Sequence, residues 1–158
     1  AWVRKNVPAR EQLAGTAAVE HLTAVLAEKA LGDAGIFADA EPAMRDLWQW
    51  HSVEEMEHKA VAFDVYRAIG GTEKMRRAAM RRSTLFLTWD ILHGVRHILK
   101  CDGMLWSPKI WLSGVRFLFG QQGILRGTWA PYKAFFDQDF HPWQEDTSEL
   151  IAQWELQQ

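Results

Sequence analysis

The sequence predicts an all-α protein, an antiparallel helical bundle folded as one domain over residues 1–158. Three observations predict it. Turn signals divide the chain into long blocks with apolar residues at helical spacing. Alternation of the kind a strand needs is almost absent. Finally, 158 residues with 48% hydrophobic content suffice for one buried core.

Each block has a start and a stop. Pro8 suits the first turn of a helix that runs to Leu31, and Gly32-Asp33 suits its exit. After a short loop with Gly35 and Asp39, Pro42 opens a second helix. It is expected to continue to Ile69, where Gly70-Gly71 stops it. Thr72 is a good N-cap for a third helix ending at Asp102-Gly103. Its early arginines, Arg76, Arg77, Arg81 and Arg82, read as a solvated or lipid-headgroup-facing patch.

The last third is less regular. Pro108 starts an amphipathic stretch, Lys109 to Phe119, with Trp111, Val115, Leu118 and Phe119 near one face. Gly120, Gly123 and Gly127 break the pattern. Trp129 to Asp139 reads as one more helix. Phe140 to Trp143 reads as extended or turn, because Pro142 disfavours helix at His141. Thr147 or Ser148 caps a final helix reaching Trp154. The metal-site helices described below thus lie within 8–69, and further helices and a Trp-rich region fill 72–158.

Composition excludes several classes. A net charge of -2 gives no electrostatic case for nucleic acid. No stretch reaches the ~18 to 20 apolar residues a bilayer span needs. Leu85 to Leu99 comes nearest but carries Asp90, His93, Arg96 and His97. The first residues lack the apolar core of a signal peptide. One cysteine, Cys101, excludes an internal disulfide and fits a reducing compartment, so a cytoplasmic location is expected. The Trp-rich last third reads as core and interface, and because tryptophan prefers places with one apolar and one wet side, peripheral membrane contact stays a secondary reading.

The chemistry concentrates in Trp48 to Lys59. On a helix, His51, Glu55 and His58 fall on one stripe, with Glu54 at its edge. Met44, Leu47, Trp48, Ala62 and Val65 continue that stripe, so these ionisable groups are expected where the core should be. Unpaired burial there costs several kcal/mol, which a bound cation offsets. Glu55-x-x-His58 has the spacing by which one carboxylate bridges two metals while the imidazole binds one of them. Glu20 is the natural carboxylate from the neighbouring helix, in the stripe Leu13, Ala17, Glu20, Ala24, Ala27 and Leu31. The bland alternative is a chance Glu-x-x-His on a solvated face, as expected for Glu54, Glu57 and Lys59. His51 is open as ligand, as ligand support or as a core histidine. His21 points about 100° away from Glu20 and suits a supporting role. Asp90, His93 and His97 form a weaker second set.

Three segments carry a resemblance: Ala17 to Ala24, Trp50 to Asp64, and Phe140-His141-Pro142-Trp143. In the same order over nearly the whole chain, they resemble the bacterial predicted metal-dependent hydrolase family, grouped with ferritin-like di-metal proteins. The resemblance implies a ferritin-like bundle, partial in this chain. It also implies that Glu20, Glu55 and His58 supply half of a di-metal site. The family's earlier segment, with another Glu and another Glu-x-x-His, has no match here, and with the Ala1 start this favours a truncated or processed chain. The expected function is a metal-dependent hydrolase using iron, manganese or zinc. Its metal ligands are Glu20, Glu55, His58 and His51, with Glu55 and Glu54 catalytic and Glu57 an alternative proton relay. A di-iron oxidase or oxygenase and a non-catalytic helical assembly module are the alternatives. A homodimer joined through the face bearing Glu20 and Glu55 is the expected assembly.

Overall fold

The computed structural model describes residues 5–33, 35–121 and 123–157. Those residues are helical with no strand, as the sequence predicts. The helices are α1 (Ala9–Gly32), α2 (Pro42–Glu57), α3 (Val61–Ala68), α4 (Glu73–Cys101), α5 (Pro108–Phe119), α6 (Trp129–Ala134) and α7 (Ser148–Glu155). A single 3-10 turn, Pro142–Gln144, precedes α7.

Helix α1 is the hub, and α2, α3, α4, α6 and α7 all pack on it. Its inward face is nearly all alanine: Ala14, Ala17, Ala18, Ala24, Ala27 and Ala30 are buried. Small side chains let neighbouring helices approach closely. At one end Phe63, Tyr66, Met80, Phe135 and Phe140 close over Ala14, Ala17 and Ala18. At the other, Val53 and Met56 meet Ala27, with Leu31, Leu150 and Trp154 packed around them. Glu20 of α1 meets Ala62, and Thr23, one turn on, meets Glu55. Contacts that run in opposite order along the two segments make them antiparallel.

Five sequence expectations change. The helix expected over Pro42–Ile69 breaks at His58–Ala60, although no proline or glycine stands there. Tertiary bonds hold the break: the Lys59 ammonium donates to the carbonyl of Glu145 and to Thr147 Oγ1, and Ala62 N–H donates to Glu20. Lys59 is therefore buried rather than on a solvated face, and burial lowers its pKa. Arg76 leaves the expected basic patch altogether. It is fully buried, bonded to Glu73 and to the carbonyls of Phe135 and Asp137, and stacked against Phe63, Phe135 and Phe140. The helix expected over Trp129–Asp139 stops at Ala134, where those two carbonyls turn to Arg76. Finally, the buried face of α2 is Ser52, Val53 and Met56, whereas Met44, Leu47, Trp48 and His51 are exposed. The stripe expected in the core faces outward.

The Gly70-Gly71 stop holds. Gly70 has φ 76°, and a Cβ on Gly71 would sit 2.3 Å from the Tyr66 ring. Tyr66 is itself fixed by a 2.7 Å bond from its hydroxyl to the Thr72 carbonyl. His141 is extended (φ -139°), as Pro142 requires, but the following residues tighten into the 3-10 turn.

Candidate metal site

An open groove of about 360 Å³ runs between α1 and α2, lined by Gly15, Thr16, Val19, Glu20, Thr23 and Glu55. Two of the four expected ligands, Glu20 and Glu55, therefore share one concavity. They reach it from different helices because α1 and α2 lie against one another and each carries its acid on the edge of the contact.

Each carboxylate is held. The break after α2 frees the first N–H groups of α3, which have no partner within their own helix. Glu20 accepts one of them, from Ala62, at 3.0 Å. A carboxylate at a helix N-terminus is also favoured by the helix dipole. Glu55 accepts a short bond from the Thr23 hydroxyl on one oxygen, and its other oxygen lies 3.5 Å from His51 Nε2. His51 in turn stands edge-on to Trp48, with ring centroids 5.7 Å apart.

His58 is placed differently. As the C-cap residue of α2 it turns back along its own helix, and its Nε2 lies 3.3 Å from Glu54 Oε2. Both side chains are partly open to solvent. The structure thus brings Glu20 and Glu55 to the groove, sets His51 against Glu55, and pairs Glu54 with His58. Among the described residues, no three His, Cys, Asp or Glu side chains converge closely enough to hold an ion. Carboxylates and imidazoles are the ligand types that iron, manganese and zinc accept, and Glu20, Glu55, His51 and His58 are of those types.

His21 lies on the inner side of α1, away from the groove. It is 3% exposed, bonded through Nε2 to the Pro131 carbonyl at 3.0 Å and packed on Phe135 and Phe140. Burial pushes its pKa down to about 4. Glu57 is exposed. Asp90, His93 and His97 are exposed on α4, where His97 faces Cys101 at 3.8 Å. His141 pairs with Asp64 at 2.8 Å and receives the Trp143 N–H, so it supports the turn before α7.

Sequence reasoning missed Thr23 and the Ala62 N–H. Thr23 could have been found, because it follows Glu20 by three residues and so shares its face. The Ala62 donor could not, because it exists only where the helix breaks.

Residues 1–146 match the model of a family described as "predicted metal-dependent hydrolase". No curated protein and no solved structure matches the chain.

Proposed function

The chain belongs to the predicted metal-dependent hydrolase family, and from that premise we propose that Glu20 and Glu55 are the carboxylate ligands of its metal. The observation that carries this reading is the single groove into which α1 and α2 each deliver an acid. When bound, a divalent cation supplies the Lewis acidity that makes water nucleophilic near neutral pH.

The chain's own residues do the rest. The Thr23 hydroxyl holds one oxygen of the Glu55 carboxyl and His51 stands 3.5 Å from the other, the kind of outer partners that orient a ligand. Glu54, paired with His58, stands at the edge of the same helix face and accepts the proton that the attacking water gives up. His51 and His58, each within a turn of Glu55, are the residues that would supply nitrogen ligands to such a cation. Val19 in the groove wall and Trp48 behind His51 are exposed apolar groups. A second copy set face to face there covers them and brings two further carboxylates, giving the ligand count of a di-metal site.

The test is hydrolysis of chromogenic phosphate and carboxylate esters by protein stripped with chelator, then resupplied with manganese, zinc or iron. Activity that returns with one metal and is at least ~100-fold lower in Glu55→Gln supports the reading. Activity that ignores chelator at complete metal removal contradicts it. Oxygen uptake by the iron form, with no ester cleavage, moves the chemistry to the oxidase alternative.

A further inference from the structure

From Leu85 onward α4 leaves the body, and α5 packs closely on no other helix among the described residues. This arm exposes large apolar side chains that a water-facing helix does not need. Leu85 is 71% exposed, Trp89 67%, Trp106 85% and Phe119 67%. Patches of this kind mark interaction surfaces.

The charge around the patch is mainly positive. Between Leu85 and Gly127 five Lys and Arg stand against two acids, Asp90 and Asp102. All five cations are exposed. The remaining residues hold thirteen Lys and Arg against eighteen acids. A near-neutral chain is therefore a basic arm on an acidic body. Within α5 the separation is sharper. Lys109, Ser113 and Arg116 share one side, and Trp111, Val115 and Leu118 share the other. Between α4 and α5 the loop carries Met104, Leu105 and Trp106, flanked by Lys100 and Lys109.

We propose that this arm docks on an anionic lipid surface, with Met104 and Trp106 entering the headgroup region and the flanking cations meeting lipid phosphates. A polar helix side rich in Lys and Arg opposite Trp, Phe and Leu is the pattern of interfacial helices. Each cation near an anionic leaflet adds attraction. A second copy paired arm to arm would set two basic patches together, and like charges disfavour that contact. Nucleic acid would use the cations and aromatic rings but leaves exposed Leu, Ile and Val without a partner. Among the described residues no helix is long and apolar enough to cross a membrane, and the proposed contact is a surface one.

The experiment is co-sedimentation of the full chain with phosphatidylcholine vesicles and with vesicles of equal phosphatidylcholine and phosphatidylglycerol, at low and high salt. Tryptophan emission is recorded alongside. The anionic vesicles should bind at least ~10-fold more tightly, losing the advantage in high salt. Tryptophan emission should shift to the blue. Lys109→Glu with Arg116→Glu should weaken binding ~10-fold, and Met104→Ser with Trp106→Ser should reduce the blue shift. If the charge-reversed protein loses helical signal, Lys109→Gln with Arg116→Gln takes its place. Binding that is absent, equal on both vesicle types or unchanged in the variants overturns the proposal. So does self-association without lipid that the arm variants abolish while vesicles bind nothing.

Discussion

The body and the arm use the same kinds of side chain to opposite ends. In the body, Phe63, Phe135 and Phe140 are buried against the alanines of α1. In the arm, Trp89, Trp106 and Phe119 are exposed. The difference lies in the partner, because α1 offers a face of small residues and, among the described residues, no other helix packs closely on α5. Amphipathic spacing shows that a helix has an apolar side. It does not show what covers that side, and α2 makes the same point, since its most apolar stripe is the open one.

The largest effect should come from Arg76→Met in the body. It removes the cation that holds Glu73 and two carbonyls while fully buried, and calorimetry should show a loss of about 3–5 kcal/mol. A loss near zero would mean that the core closes without that cation, and the contrast with the arm would fail.

Next is a pH effect at His21. Its folded pKa, about 4, lies below its ordinary value of 6.5, so the unfolded chain binds the proton first as pH falls. Stability from this group is full above about 6.5 and drains as pH drops toward 4, by on the order of 3 kcal/mol in all. Melting of chelator-treated protein across that range should show the slope, and His21→Phe should flatten it. A parallel slope in the variant would assign the effect elsewhere.

Thr23→Val sharpens the comparison at the groove. It removes one hydroxyl donor from Glu55 and should cost only about 1 kcal/mol of stability. Metal affinity should nevertheless drop roughly 10- to 100-fold in a titration, because the ligand loses its orientation. The smallest effect belongs to the arm, where Trp106→Ala should change stability by less than about 0.5 kcal/mol. A larger loss would show that the arm is packed in solution.

Helix starts and stops were legible because they depend on local chemistry: Pro8, Pro42, Thr72, Pro108 and the Gly70-Gly71 stop all mark boundaries where the structure has them. The break at His58–Ala60 was not, because its causes are Glu20, Glu145 and Thr147, all distant in sequence. The same reason hid the burial of Lys59 and Arg76. For the site, Glu20 and Glu55 line one groove because successive helices pack together, although the stripe around Glu55, expected to be buried, is open. The placement of His58 was not legible, because on a helix it lies one turn from both Glu54 and Glu55, and its rotamer rather than its spacing turns it to Glu54.

Metal content of Glu20→Gln and Glu55→Gln tests the central claim most directly. Glutamine keeps an oxygen to accept the Ala62 N–H and the Thr23 hydroxyl, so the fold should survive. What it loses is the negative charge a metal ligand needs. Protein purified without chelator and analysed by mass spectrometry for bound metal should show wild type loaded. Both variants should be depleted at least ~10-fold with melting of the stripped proteins unchanged. Variants that hold as much metal as wild type would contradict the assignment and leave the two carboxylates as a helix cap and a hydroxyl acceptor.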